Sequence, residues 1–214
     1  MRLPPSQWIG RFGLDTPPSP WSPRFNIAPT QQILAIRGGA GGRELVSFRW
    51  GLIPSWAKDP SIGSRMINAR GETVAEKPSF RTAFRRRRCL VLADGYYEWK
   101  KEGKGKQPYH IHLPEGEVFA FAGLWERWSP DGDEPLETCT IITTAASGPL
   151  ADLHDRMPVI LDSIDYEPWL ATPEEEAAKL LPLIAPFEGE LVCDAVSTRV
   201  NSVKNDDPAC LEGE

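Results

Sequence analysis

The alternation of hydrophobic and polar positions predicts many short β-strands and few helices. Two helices are predicted, one over residues 5–12, whose apolar side chains fall on one side, and one after Thr172, where Pro173 and three glutamates follow. Because strands and helices do not alternate, the pattern indicates an α+β fold built on a mixed, largely antiparallel β-sheet or open barrel with a few short helices. Strands are predicted over residues 32–36, 44–50, 89–93, 96–101, 109–113, 118–125, 138–144 and 192–200.

Length and cysteine usage predict one domain over residues 1–214 that needs no disulfide or metal. A chain of this length buries a core large enough for stability by itself. Cysteines 89, 139, 193 and 210 lie far apart with no C-x-x-C pair, a pattern typical of reduced thiols. No apolar run approaches the roughly 20 residues that cross a bilayer, and no signal peptide is recognisable. We therefore expect a monomeric cytoplasmic protein without metal or cofactor.

The net charge of -6 conceals two halves of opposite sign. Residues 1–110 hold 19 Lys and Arg against 8 Asp and Glu, whereas residues 111–214 hold 5 against 22. Nucleic-acid binding depends on basic side chains that neutralise phosphates, so the first half is a candidate anion-binding region. The alternative is that folding mixes both halves into an ordinary surface.

Several polar residues lie in settings that suit chemistry. Glu98 stands among aromatic residues on a predicted strand, where desolvation raises the pKa of a carboxyl group and favours acid or base catalysis. His154 lies between charged neighbours in a loop, a setting for proton transfer, although a structural loop histidine is the alternative. Asn68 and Arg70 have the donors to hold a sugar oxygen and a phosphate, or they act as a helix cap and a surface charge.

Aromatic, basic and histidine clusters allow further interpretations. Trp50 and Trp56 flank glycine and proline, which suits either stacking on unpaired bases or a core corner. The four arginines of residues 85–88 indicate a solvated face or partners for nearby acids. His110 and His112 lie on one side of a predicted strand, but H-x-H is a weak metal signal, and we predict no metal site.

Six segments, in this order, resemble the SOS-response-associated peptidase (SRAP) family, whose members shield abasic sites in single-stranded DNA by covalent attachment. One such segment alone is weak evidence for the family. Six segments in the family's order and with suitable spacing are a specific match. They are Phe-Asn-Ile-Ala-Pro-Thr at 25–30, Trp-Gly-Leu-Ile-Pro-Ser-Trp at 50–56, Ile-Asn-Ala-Arg-Gly-Glu at 67–72, Asp-Gly-Tyr-Tyr-Glu-Trp at 94–99, His-Asp-Arg-Met-Pro at 154–158 and Val-Asn-Ser-Val at 200–203.

The resemblance implies an abasic-site sensor of the DNA-damage response, associated with the nucleoid when bound to single-stranded DNA. Its catalytic residues would be Asn68 to orient the sugar, Glu98 to tune an attacking amine and His154 to assist ring opening. A basic groove would bind the DNA. The DNA-contacting residues that the resemblance implies are Pro29, Trp56, Arg70, Thr143 and Arg156.

The amino terminus departs from the family pattern. Members begin Met-Cys-Gly-Arg, and that cysteine closes a thiazolidine with the sugar aldehyde, whereas this chain begins Met1-Arg2-Leu3 and has no cysteine before Cys89. The expectation is that the first strand is truncated, through a start set too far downstream or a true variant. We therefore expect the 214-residue chain to bind single-stranded DNA without forming a stable thiazolidine, since an amine alone forms only an imine.

Two other functions stay open at this level. The family name suggests a hydrolase acting on peptides, which would also need the cysteine beside a glutamate and a histidine. A noncatalytic single-strand-binding module would need only the basic groove and the aromatic side chains.

Overall fold

A computed structural model describes residues 1–39, 41–103, 105–130 and 134–213. Ala40 and Lys104, which belong to two predicted turns, lie outside the described residues. The strands are β1 (Gln32–Gly39), β2 (Gly42–Trp50), β3 (Asn68–Arg70), β4 (Arg88–Ala93), β5 (Tyr96–Glu102), β6 (Gly105–His112), β7 (Phe119–Trp128), β8 (Leu136–Ala145), β9 (Arg156–Pro158), β10 (Ile160–Leu161) and β11 (Val192–Ala195).

Helical structure is confined to short pieces. The α-helices are α1 (Arg81–Arg86) and α2 (Tyr166–Ala171). In the part of the chain that is described, no helix is long and apolar enough to span a membrane. The 3₁₀ segments are Pro5–Gln7, Ile9–Phe12, Pro60–Arg65, Gly71–Thr73, Gly148–Asp152, Ser163–Asp165, Glu174–Leu183, Thr198–Asn201 and Pro208–Leu211.

The larger sheet closes on itself. Strands β7, β4, β1 and β2 pair antiparallel in that order, β2 joins β8 through a short parallel pairing, and β8 returns antiparallel to β7. Strands β10, β3 and β9 extend this ring at β7 and β8. The second sheet has the order β11-β6-β5 and is antiparallel throughout. The expected α+β class with a mixed, largely antiparallel sheet is confirmed.

Strand β4 separates two hydrophobic clusters. All six of its residues are buried, as its unbroken apolar run predicts for a strand covered on both faces. Successive side chains of a strand point to opposite faces, so Leu90 and Leu92 join one cluster and Cys89 and Val91 the other. The first cluster lies against the amino-terminal segment and α2, and the second includes residues of all five strands of the ring.

Three predicted elements differ in the structure. Residues 5–12 form two 3₁₀ turns separated at Trp8 rather than one helix, and Gly13 ends the second turn in a left-handed conformation with φ 66°. The segment after Pro173 is also 3₁₀, with Pro182 inside it and no side-chain cap from Thr172. The last strand ends at Ala195, because the Ser197 side chain accepts from the Arg199 amide and caps a 3₁₀ turn.

Ion pairs join the two oppositely charged halves of the sequence. Arg43 pairs with Glu167 at 3.0 Å and Arg37 with Glu137 at 2.8 Å. Of the arginine run, Arg85 and Arg86 pair with Glu174 and Arg87 pairs with Glu126, so three of the four meet nearby acids as predicted. Glu174 is thus an ion-pair partner as well as a first-turn acid. Folding therefore mixes much of the charge asymmetry.

Gly51 brings the loop after β2 against the 3₁₀ turn Pro60–Arg65. Its φ is +130°, a left-handed conformation that side chains disfavour, and a Cβ there would lie 2.6 Å from the carbonyl oxygen of Gly63. The approach is reciprocal, since a Cβ on Gly63 would lie 2.7 Å from the carbonyl oxygen of Gly51. This close contact between two backbone segments thus fixes the path of the chain between β2 and β3.

We expect Gly51→Ala to lower the free energy of unfolding by about 2 to 3 kcal/mol, because the new methyl group meets backbone that cannot rotate away. Urea denaturation measures the effect. The control is Gly10→Ala, where a Cβ has no heavy atom within 4 Å. We expect that change to stay within about 0.5 kcal/mol of wild type. Equal effects of the two substitutions would contradict this account of Gly51.

Candidate functional site

A cavity of about 580 Å³ is lined by both sheets and by segments 24–29 and 200–203. It brings together seven of the eight residues that the sequence suggested for catalysis or DNA contact. Trp56 is the exception, because its side chain is 60% exposed and stands apart from the cavity lining. The seven are Pro29, Asn68, Arg70, Glu98, Thr143, His154 and Arg156.

Strand β3 presents Asn68 and Arg70 on the same face. Ala69 between them is fully buried, so strand alternation turns its two neighbours toward the cavity. The parallel pairing with β8 sets Arg70 beside Thr143, a polar residue that is only 8% exposed. An amide, a guanidinium and a hydroxyl therefore line one wall of the cavity.

Glu98 lies on β5, the strand of the small sheet that borders the cavity. Burial raises the pKa of its carboxyl group, and the nearby positive charge of His154 partly offsets this by lowering it. A raised pKa favours the protonated carboxyl group, which suits a group that takes up and returns a proton in general acid–base catalysis. The environment predicted for Glu98 from its aromatic neighbours is the one that the structure has.

His154 stands in the loop between the turn Gly148–Asp152 and β9. Its Nδ1 atom accepts a hydrogen bond of 3.0 Å from the Arg156 amide, and a carboxylate oxygen of Asp155 lies 3.3 Å from the same nitrogen. The carbonyl oxygen of Arg156 also lies 3.1 Å from Nδ1 and accepts only from a protonated nitrogen, so the contacts of Nδ1 fit either tautomer of the ring. The side chain is 45% exposed, which leaves it accessible from solvent.

The amino-terminal segment reaches the cavity, in keeping with the amine chemistry that the resemblance implies for the chain terminus. The α-amine of Met1 donates to the carbonyl oxygen of Arg24 at 2.9 Å and lies 3.3 Å from Asp94. Asp94 also accepts from the Arg2 amide at 2.7 Å and from the Leu3 amide at 3.3 Å. Asp94 belongs to the Asp-Gly-Tyr-Tyr-Glu-Trp motif, but its role depends on residues more than ninety positions away.

Burial lowers the pKa of the Met1 α-amine, while Asp94 acts in the opposite direction. A lowered pKa leaves more of the amine unprotonated at neutral pH. The unprotonated amine is the form that attacks a carbonyl carbon. In a polypeptide that starts at Met1, the cavity thus contains a nucleophile together with Asn68, Glu98 and His154.

Two segments that are far apart in sequence, 24–29 and 200–203, meet at the cavity. The Asn26 amide donates to the carbonyl oxygens of Val200 at 3.0 Å and Ser202 at 3.2 Å. Asp206 accepts from the amides of Phe25 and Asn26 at 2.6 and 2.9 Å. The motifs at 25–30 and 200–203, which looked separate in sequence, are one hydrogen-bonded unit.

His110 is a lining residue that motif comparison missed. Its ring packs so closely on Gly95 that a Cβ there would lie 2.1 Å from Nε2, which explains the glycine in that motif. His110 also stacks on His112, with ring centroids 5.0 Å apart. Among the described residues, no group of three His, Cys, Asp or Glu side chains is placed to hold a metal ion.

Stability should fall between pH 7 and pH 5 because of His110. Burial, with the charges of His112 and Arg2, lowers its pKa from 6.5 to about 4, against the opposing effects of Asp94 and Asp194. As the pH falls through this window the unfolded chain binds a proton that the folded chain does not. The loss amounts to about 2 kcal/mol between pH 7 and pH 5.

Urea denaturation of wild type and His110→Gln at both pH values measures this contribution. We expect the variant to lose less stability between the two pH values, by roughly the 2 kcal/mol assigned to the histidine. The comparison rests on the difference between pH values, so a general destabilisation of the variant does not disturb it. An unchanged pH dependence would show that His110 takes up its proton in the folded state.

Known proteins are similar to this chain over most of its length. Abasic site processing protein YoqW of Bacillus subtilis is 44% identical over 208 residues, which is 95% of this chain and 93% of that protein. Abasic site processing protein HMCES of Gallus gallus is 40% identical over 193 residues, covering 79% of this chain and 57% of that protein.

Solved structures share the fold. A protein from Bacteroides thetaiotaomicron has a TM-score of 0.78 at 32% identity and covers 86% of this chain and 82% of its own. A phage-related protein of Bordetella bronchiseptica has a TM-score of 0.73 at 28% identity, with 92% of each chain covered. The model of one family, SOS response associated peptidase (SRAP), matches residues 1–203. By this match and these identities, the chain belongs to the SRAP family.

Proposed function

We propose that this protein recognises and processes abasic sites in DNA, and that the cavity receives the abasic deoxyribose. The observation that carries the proposal is the convergence of Asn68, Glu98 and His154 on one cavity, next to the α-amine of Met1. The similarity to proteins named for abasic site processing supports it. We further propose that one domain acts as a monomer on single-stranded DNA.

The residues have distinct roles in this proposal. His154 transfers a proton as the cyclic sugar opens to its aldehyde, and Asn68 orients the sugar through its neutral amide. Glu98 takes up or returns the proton of the attacking amine, a task that suits its raised pKa. The amine adds to C1′ of the aldehyde, and loss of one water leaves an imine.

DNA contacts follow from the charges at the cavity. Arg70 and Arg156 carry the positive charge on the wall that contains β3 and β9, where phosphates of a bound strand would lie. Pro29 is exposed at the cavity, and Trp56 is exposed beyond it, so both are accessible to bases that flank the lesion. These assignments make the abasic nucleotide the centre of a longer binding surface.

The test is selective binding. Fluorescence anisotropy compares two single-stranded oligonucleotides of one sequence, one intact and one with a central tetrahydrofuran abasic analogue. We expect tighter binding of the abasic oligonucleotide, and we expect Asn68→Ala to reduce that preference by about tenfold through loss of hydrogen bonds to the sugar. Duplexes of the same sequence test the preference for single strands, and light scattering tests the monomer.

Other outcomes would favour other functions. Equal, salt-dependent binding of both oligonucleotides, unchanged by His154→Ala, would indicate a noncatalytic single-strand-binding protein. Cleavage of a peptide amide by the purified chain would indicate a hydrolase. Either result, without abasic selectivity, would overturn the proposed function.

A further inference from the structure

The guanidinium of Arg156 is held by the carboxylate of Glu72, the last residue of the motif at 67–72, to which the resemblance assigns no role. Glu72 accepts from Nη1 at 2.5 Å and from Nη2 at 2.9 Å, one carboxylate oxygen for each nitrogen. Nη2 also donates to the carbonyl oxygen of Thr143 at 2.6 Å. A planar guanidinium bonded to a carboxylate through two nitrogens and to a third acceptor has little freedom to rotate.

Glu72 itself occupies a constrained place. It lies in the 3₁₀ turn Gly71–Thr73, which follows β3 directly. A Cβ on Gly71 would lie 2.2 Å from a methyl carbon of Ile184 and 3.2 Å from the carbonyl oxygen of Thr143, so this turn is packed tightly against its surroundings. The carboxylate that holds Arg156 is therefore attached to a fixed part of the cavity wall.

Arg156 keeps donors for a ligand. Its Nε atom is buried and has no hydrogen-bond partner among the described residues, although the side chain as a whole is 21% exposed. Nε is screened from solvent by its surroundings, but Nη1 gives only one of its two hydrogens to Glu72, so the other is available to an anionic oxygen. A phosphodiester oxygen is an acceptor of that kind.

Arg156 is also linked to the proposed proton-transfer residue. Its backbone amide donates to Nδ1 of His154, so both residues share one short turn. The contacts that fix the Arg156 side chain therefore also restrict the first residue of β9, whose amide orients the His154 imidazole.

We propose that Glu72 is a positioning residue for phosphate recognition, which holds Arg156 in the orientation that meets the phosphate beside the abasic nucleotide. This inference rests on the proposed function. Phosphate contacts set the register of a bound strand, and the correct register places the abasic sugar within the cavity. Glu72 thus contributes to lesion preference without contacting the DNA.

The direction in which Glu72→Gln changes DNA binding distinguishes a positioning role of Glu72 from a simple effect of its charge. Removing an acidic charge near a bound polyanion tightens binding of all DNA by electrostatics alone. The positioning role instead predicts that Glu72→Gln lowers the preference for abasic over intact single strands, by about tenfold, because two charge-assisted hydrogen bonds are lost or weakened. Anisotropy titrations with the two oligonucleotides described above give the preference as a ratio of Kd values.

Three variants make the measurement specific. Glu76→Gln is the matched control, since Glu76 is an exposed acid four residues further along the same segment. It should leave the preference unchanged. Glu72→Asp keeps the charge and should restore part of the preference. In the Arg156→Ala background, Glu72→Gln should cause no further loss, because Glu72 acts through Arg156.

The outcomes separate this inference from the proposed function. Wild-type chain without any abasic preference would overturn both. A wild-type preference that Glu72→Gln retains would overturn the positioning role alone. An equal loss with and without Arg156 would also overturn it, since the effect would then be a general one on the fold.

Discussion

Replacement of Arg88 by Met should lower the free energy of unfolding by about 4 kcal/mol, since several buried carbonyl oxygens lose their donor together. Arg88 is 6% exposed and is the charged residue of the buried strand β4. It donates to the carbonyl oxygens of Phe84 at 2.8 Å, Arg85 at 2.6 Å and Trp169 at 2.6 Å, and also to that of Thr172.

These four oxygens lie near the carboxyl-terminal ends of α1 and α2. Carbonyl groups at helix ends lack partners within the helix, and a cation there also interacts favourably with the helix dipole. One guanidinium therefore satisfies both helix ends and joins them. Methionine fills a similar volume but offers no donor, so the substitution isolates the hydrogen bonds from the packing.

Urea denaturation at neutral pH measures the loss. Arg86→Met is the matched control, because Arg86 is 58% exposed and pairs with Glu174 on the surface. Surface ion pairs contribute about 1 kcal/mol or less, so the control should differ little from wild type. Equal losses for the two variants would mean that water or a small backbone shift satisfies the carbonyl groups when Arg88 is absent.

Replacement of His154 by Ala should slow the covalent capture of an abasic site by about 10²-fold, the usual contribution of a positioned acid or base. In a polypeptide starting at Met1, the α-amine forms an imine with the aldehyde, and borohydride reduces it to a stable secondary amine. The initial rate of this trapped adduct, separated on a denaturing gel, is the measurement. Mass spectrometry of the proteolysed adduct should place the DNA on the peptide that contains Met1.

His112→Ala is the matched control for this experiment. His112 lies on β6 with Nε2 2.9 Å from Asp194, and it is not among the described residues that line the cavity. Its loss should leave the rate unchanged. A wild-type rate in His154→Ala would remove the histidine from the proposed proton transfer, and a heat-stable adduct without borohydride would contradict the expectation that this chain forms only an imine.

Much of the candidate site was predictable because the functional groups of its residues, and their spacing within short motifs, can be identified from local sequence. Glu98 could be chosen from its aromatic neighbours, since an aromatic-rich strand is usually packed against the protein and a carboxyl group on it is then desolvated. Asn68 and Arg70 could be paired from their spacing, because residues two apart on a strand share a face. The position of His110 at the cavity and the role of Glu72 were missed, because each depends on contacts with residues that are distant in sequence.

The sequence by itself predicted eight strands, the family resemblance and seven of the residues at the cavity, but not the short strands β3, β9 and β10. It did so because hydrophobic periodicity and motif residues are local properties. Only the tertiary structure decided which of four consecutive arginines is buried, that Asp94 receives the amino-terminal segment and that Glu72 holds Arg156. These facts depend on contacts between segments about 80 to 90 residues apart in sequence. Residue types alone do not show which distant segments meet.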